Sequence, residues 1–242
     1  MWALPPRQLL LEQGGLHIWR ASLALPSEEC GPLEGVLSAE EKDQCARFVR
    51  PADRARCRAS RASLRLVLAK YLREDPRALS IRAGASGKPW LDGADSSIQF
   101  NVSHAGDLAL IAIARGLRVG IDVERVREVA DMDAILDGFF SGQETAWLRS
   151  REEAERSGAL FLLWTRREAA AKALGTGLFD CFARFALPLS DHAGSGFRVE
   201  LPDTPAGPAP TWWMRDLLPA PGYAGAVCVE QDNPTPMLWR LE

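Results

Sequence analysis

The chain begins with an alternating stretch. Residues 16–25 (Leu-His-Ile-Trp-Arg-Ala-Ser-Leu-Ala-Leu) switch roughly between apolar and polar positions, the two-residue period of a strand. The period then lengthens. Ser38-Ala-Glu-Glu41 is a capping-box pattern and predicts a helix through about Arg50. After Pro51-Ala-Asp53 a longer helix is expected over roughly 53–73, with Leu64, Val67, Leu68 and Leu72 on its buried side. Arg54, Arg56, Arg58, Arg61 and Arg65 lie around much of the rest. Ser80-Ile-Arg-Ala reads as a short strand before the turn-rich Gly84-Ala-Ser-Gly87-Lys88-Pro89. Three apolar runs, at 98–102, 108–114 and 118–124, are joined by short turns and predict an antiparallel meander.

The second half repeats this order. Ser141-Gly-Gln-Glu144 is another capping box. A long helix follows around Phe161–Leu174, rich in Leu, Ala, Arg, Glu and Lys, free of Pro, with Gly175 as its stop. Strands are expected around Phe182–Leu187 and Phe197–Leu201, then near Trp212–Met214 and Tyr223–Glu230, and the Pro-rich 202–210 stretch as a surface loop. The two capping boxes, and the long helices after them, are offset by about the same distance, although residue identity between them is low. The expected fold class is therefore α+β and pseudo-duplicated. It comprises two similar α+β halves, 1–117 and 118–242, with the active site between them, a preferred place for a ligand.

Charge and cysteine content narrow the function classes. A net charge of −3 argues against a general nucleic-acid binder. The five cysteines are scattered without a C-x-x-C, which favours reduced thiols in a cytoplasm over a disulfide frame or a zinc site. Three histidines are a poor supply for zinc. The longest apolar run, Leu108 to Ala114, falls short of a membrane span, and Leu9-Leu10-Leu11 is too short for a signal-peptide core. A cytoplasmic protein without membrane association is expected.

Three weak chemical signals point the same way. On a strand, Gly120, Asp122 and Glu124 share a face opposite Val119, Ile121 and Val123, so two carboxylates stand about 7 Å apart. They suit a hard cation, and serve equally as solvent-facing residues at a strand end. Trp164, Glu168 and Lys172 fall four residues apart and form one stripe on their helix, which suits a boundary helix as well as a site. Glu168 would supply the third carboxylate of an oxygen-rich magnesium site. His104, in a turn after a strand, suits phosphate binding or acid–base work, or is a partly exposed turn residue. Lys88 and the arginines of 54–65 suit anions, or are a solvated face. Together these point to phosphoryl or pyrophosphate chemistry.

Taken in order, four segments resemble the motifs of phosphopantetheinyl transferases, in the monomeric class whose best-known member activates surfactin synthetase. They are Gly87-Lys88-Pro89, Phe100-Asn101-Val-Ser103-His104, Val119-Gly-Ile-Asp122-Val-Glu124, and Trp164-x-x-Arg167-Glu168-Ala-x-x-Lys172-Ala-x-Gly175-x-Gly-Leu178. The resemblance covers most of the chain, with Arg47-Phe48 and Tyr223–Cys228 also in step. It implies transfer of 4'-phosphopantetheine from coenzyme A to a serine of an apo acyl or peptidyl carrier protein. It further implies magnesium, with manganese as an alternative, held by Asp122, Glu124 and Glu168. The implied catalytic set is Glu168, Lys172, Asp122 and His104. The implied coenzyme A contacts are Arg56, Gly87, Lys88, Pro89, Asn101, Ser103, His104, Trp164, Arg167 and Lys172. Trp164 would wall the cleft beside the metal.

Two departures stand out. Arg167 replaces a common lysine, and Glu41 and Gln44 stand where the surfactin-type member has two lysines near the nucleotide phosphate. Two other readings use the same residues: a magnesium-dependent pyrophosphate hydrolase, and a catalytically silent carrier-binding module. Segment 132–151, with Met132, Ile135, Phe139, Phe140, Trp147, Arg149 and Arg151, is the candidate surface for carrier docking, or else core.

Overall fold

A computed structural model describes residues 1–24, 33–84, 88–93, 97–175, 187–189, 195–202 and 211–241. In chain order the elements are β1 (Leu16–Ser22), α1 (Ala39–Ala46), α2 (Pro51–Leu72), β2 (Ile81–Ala83), β3 (Pro89–Leu91), β4 (Ile98–Ala105), β5 (Leu108–Arg115) and β6 (Val119–Arg125). There follow α3 (Met132–Phe139), α4 (Gly142–Arg149), α5 (Glu153–Leu174), β7 (Gly196–Val199), β8 (Trp212–Leu217), β9 (Tyr223–Val229) and β10 (Met237–Arg240). They form two compact units, Met1–Gly116 with Thr235–Glu242, and Leu117–Pro234. The mixture of helices and sheets makes the fold α+β. The last eight residues depart from the expected 118–242 half, because β10 pairs in parallel with β1 and belongs to the first unit.

The first unit carries a four-stranded sheet in the order β10-β1-β5-β4, with α2 packed on it. Leu64, Val67 and Leu68 of α2 meet Trp19, Phe100, Ile111 and Ile113 of the sheet, all nearly inaccessible. The β4–β5 hairpin turns through Gly106-Asp107, and Gly106 has φ 52°, the left-handed conformation that a tight hairpin asks of its first turn residue. The expected three-strand meander ends there. Gly116 follows β5 at φ 71°, and β6 pairs not with β5 but with β9 in the second unit. That sheet, β6-β9-β8-β7, is antiparallel throughout and packs on the alanine-rich face of α5. The expected strand at Phe182–Leu187 lies outside the described residues except for Leu187, as does most of the 202–210 loop.

The repeat is visible in side chains. The α1 and α4 helices have eight residues each and start at complete capping boxes, Ser38 with Glu41 and Ser141 with Glu144. The helix that follows each has twenty-two residues and ends in a left-handed residue, Arg73 or Gly175. In both units the capping glutamate also accepts from a buried arginine at the fifteenth position of the long helix. Arg65 Nε lies 2.6 Å from Glu41 Oε2, and Arg167 lies 2.5 Å from Glu144 Oε1. Arg65 therefore leaves the expected exposed arginine set and is a core residue, 2% exposed.

One cysteine expectation is overturned. Cys45 of α1 and Cys57 of α2 are joined by a disulfide, with 12 residues of separation and Cα atoms 5.5 Å apart. Scattered spacing misled here because the turn at 47–50 folds the two helices together. Cys228 is a free, buried thiol.

A buried polar trio sits in the first core. Trp19 Nε1 only donates, so the Tyr71 hydroxyl accepts from it at 2.8 Å and keeps its own proton available to His17 Nδ1, 2.8 Å away. Burial lowers the His17 pKa from 6.5 to about 4, so the ring is neutral at about pH 7. A base whose folded pKa is depressed stabilises the fold fully above its unfolded pKa, and the contribution drains away as pH falls from 6.5 towards 4. Stability should fall over that window with a slope of up to about 1.4 kcal/mol per pH unit from this group. Urea midpoints of wild type and His17→Gln at about pH 7 and about pH 5 check it: the wild type should lose more stability between them. Equal losses would exclude His17 as the titrating group.

Candidate active site

The site is assembled where a strand and a helix of the second unit approach backbone to backbone. A Cβ on Gly120 would stand 2.1 Å from the carbonyl oxygen of Ala169 and 2.4 Å from the amide nitrogen of Ala173, so β6 and α5 touch backbone to backbone. Alternation puts Asp122 and Glu124 on the same face as Gly120, turned towards α5. Opposite them on β9 are small residues, with Asp122 paired to Ala226 and Glu124 to Ala224. The four-residue spacing on α5 brings Lys172 to this face, and its Nζ donates to Asp122 Oδ1 at 2.7 Å. Asp122 is 3% exposed, so it is a buried group and not the outward strand-end carboxylate that the alternating pattern allowed.

Electrostatics join the remaining carboxylates to this pair. The Glu124 pKa is raised above 4.5, first by burial and then by the charge on Asp122, with Glu168 adding to it and Arg127 and Lys172 opposing. Glu168 is raised by burial and by Asp122, with Lys172 opposing. Three carboxylates that repel one another in a poorly solvated place suit a shared cation. Among the described residues, however, no three Asp, Glu, His or Cys side chains stand together as a ready metal site. The cation seated at Asp122 is Lys172.

Beside Glu124 opens a pocket of about 330 Å³, lined by Arg127, Ile135, Leu160, Phe161 and Trp164 among others. Trp164 is half-buried and meets Phe139 edge-on, ring centroids 5.8 Å apart, with Phe140 at 6.4 Å. Arg127 covers the Phe161 ring at 5.1 Å. The sequence reading missed Arg127. It lies beyond the end of β6, so no strand or helix period connects it to Glu124. The docking candidates Met132, Ile135, Phe140 and Trp147 pack against a core of Leu136, Leu148, Leu160 and Leu163. Arg149 pairs with Asp133 at 2.8 Å, and Arg151 stacks on Trp147.

The structure moves Arg167 out of the candidate set. It is 1% exposed, and its guanidinium is held by both oxygens of Glu144, so it anchors α4 on α5 and does not reach for a nucleotide. Glu41 has the equivalent post in the first unit, and Gln44 accepts from Arg61 at 3.2 Å.

The other candidates stand in the first unit. Gly87 lies outside the described residues; Lys88 precedes β3, which Pro89 opens. Asn101, Ser103 and His104 all lie within β4, so His104 is a strand residue and not a turn residue. Alternation puts Asn101 and Ser103 on one face and exposed His104 on the other, with Phe100 and Val102, under α2. Arg56 of α2 reaches the turn after His104, where its Nε donates to Asp107 at 2.8 Å, and it also contacts Asp53 at 3.2 Å.

Residues 118–228 match the family model of the 4'-phosphopantetheinyl transferase superfamily, and residues 27–115 match that of the 4'-phosphopantetheinyl transferase N-terminal region. The chain is 31% identical over 245 residues to the 4'-phosphopantetheinyl transferase HetI of Nostoc sp. strain PCC 7120, covering 98% of this chain and 97% of that one. It belongs to the 4'-phosphopantetheinyl transferase family. Among other transferases of this family, it is 28% identical to ffp of Bacillus subtilis, over 86% of this chain and 89% of the relative. It is 26% identical to Sfp of Bacillus subtilis strain 168, over 84% and 87%. The first family match contains Asp122, Glu124, Trp164, Glu168 and Lys172, and the second contains Arg56, Lys88 and His104.

Two outcomes follow from this geometry. Gly120→Ala should destabilise the protein by about 3 kcal/mol, because the added methyl meets rigid backbone on α5. The thermal midpoint checks it, and an unchanged midpoint would mean that the helix yields freely. Glu168→Gln should instead stabilise the fold near neutral pH, by a few tenths to about 1 kcal/mol after solvent screening. Its raised folded pKa means that ionisation disfavours the folded state, fully so above that pKa and not at all below the unfolded value. Urea unfolding at neutral and acidic pH should show the gain at neutral pH alone.

Proposed function

We propose that the chain transfers 4'-phosphopantetheine from coenzyme A to a carrier-protein serine through the Asp122, Glu124, Glu168 and Lys172 grouping. The enzyme class follows from family membership, and the relatives compared are transferases by name. The carboxylates on β6 and α5 fit a hard divalent cation in donor type, mutual repulsion and partial burial. Magnesium, or manganese in its place, would be held by Asp122, Glu124 and Glu168 and would supply neutralisation of the pyrophosphate charge. Glu168, directly or through a water, helps to take the proton of the incoming serine hydroxyl. The serine oxygen bonds to the phosphorus that carries pantetheine, and the bond from that phosphorus to the adenosine bisphosphate breaks. Lys172 stabilises the charge on the departing group.

Lys88, His104 and Arg56 are assigned to the nucleotide end of coenzyme A. Arg56 bonds to Asp107 in the turn that follows the strand of His104, which supports the pairing, and it would exchange Asp107 for phosphate. Trp164 with the pocket beside Glu124 is assigned to the substrate side of the metal. We further propose a monomer acting on acyl or peptidyl carriers in the cytoplasm, a compartment in which a disulfide such as Cys45–Cys57 is uncommon; no helix among the described residues is long and apolar enough to cross a membrane. The hydrolase and silent-module readings are not favoured by the family match.

The observation that carries the reading is the close packing that faces Asp122 and Glu124 onto the Glu168 and Lys172 side of α5. Intact-mass measurement on a panel of apo carrier domains with coenzyme A tests it. One carrier or more should gain a single phosphopantetheine, only with a divalent ion, and Glu168→Ala should reduce the rate by a factor of at least about a hundred. Cleavage of coenzyme A with no carrier modified would replace transfer with hydrolysis.

A further inference from the structure

Lys172 has two assignments that draw on the same ammonium, whose three N–H donors they must share. As the group that stabilises the leaving phosphate, its ammonium must face the substrate. In the structure the same ammonium is bound to Asp122 Oδ1 at 2.7 Å. The Asp122 side chain is 5% exposed, and a carboxylate so far from water needs a cation beside it. The charge of Lys172 also reaches Glu124 and Glu168, and opposes the rise in the pKa of each. The contact is well placed for exchange. The stem of Lys172 is anchored on α5 at a height set by the Gly120 contact, while its 28% exposed side chain has open directions to turn.

We infer that Lys172 competes with the divalent ion for Asp122: the ammonium holds the carboxylate until the ion takes it, and the ion's arrival turns Lys172 towards the substrate phosphates. The inference rests on the metal-site reading above. It makes metal binding and the arming of Lys172 one event. A buried Asp122 is never left without a cation, and the lysine is delivered only when the metal is there to bind the pyrophosphate.

The test is titration with manganese(II), free ion read by electron paramagnetic resonance, with and without coenzyme A, on folded wild type, Lys172→Met, Lys172→Arg and Asp122→Asn. Lys172→Met removes the competitor and should bind manganese more tightly by about ten- to a hundredfold, the worth of one charge-assisted hydrogen bond. Lys172→Arg keeps a cation at Asp122, guards against loss of the fold, and should bind manganese more weakly than wild type, because a planar fork grips a carboxylate with two bonds. Unchanged or weaker binding in Lys172→Met, or no binding by it at all, overturns the inference. The two readings fail differently. Full binding by Asp122→Asn would remove the metal site itself. Binding lost in Asp122→Asn but unaltered in Lys172→Met would leave the metal site standing and remove the competition.

Discussion

The contact between Gly120 and the backbone of α5 is the constraint on which the site depends. Helix-on-sheet packing normally keeps backbones apart by the thickness of two side chains, about 10 Å. Here glycine on β6 and alanines at 169 and 173 remove that spacer. Two consequences follow from one approach. The residues two and four positions beyond Gly120 are brought within hydrogen-bonding or electrostatic reach of α5, which is how Asp122 meets Lys172 and how Glu124 feels Glu168. Carboxylates in such a narrow slot also lose much of their hydration, which raises Glu124 and Glu168 above their ordinary range. Proximity and altered basicity therefore have a single cause.

A second constraint is repeated in both units. Glu41 and Glu144 each close a capping box and each receive a buried arginine from the adjoining long helix. Burying a charged pair is costly in desolvation, so these pairs are poor candidates for net stabilisation. They are good devices for register, since only one setting of the short helix on the long one satisfies the carboxylate's bonds to both the cap amide and the guanidinium. In the second unit that setting also fixes the rotation of α5, and hence which of its faces meets β6. Arg167 thus serves the site through position, one residue away from Glu168.

The site and the fold pull in opposite directions. Three mutually repelling carboxylates raise the free energy of the folded chain, and Lys172 and Arg127 relieve only part of it. Active sites commonly retain such a cost, and in the proposed reading the same field would draw in a cation and its phosphate-bearing substrate.

Much of this was legible in the sequence for local reasons. Capping boxes at Ser38 and Ser141, the alternation around Asp122 and Glu124, and the four-residue stripe of Trp164, Glu168 and Lys172 are set by backbone geometry within a few residues, and the ordered motifs carried the family resemblance. Contacts between distant segments were not legible. The alternating pattern put Asp122 and Glu124 on one face but left open whether that face meets solvent or α5. The pairing of β6 with β9 instead of β5, the return of β10 to β1, the Cys45–Cys57 link, Arg127 over Phe161, and the burial of Arg65 and Arg167 all join residues far apart in the chain or beyond the end of an element. An arginine looks the same in sequence whether it faces water or a buried glutamate. Only tertiary packing decides, because it alone determines which charges lose their water and must find each other.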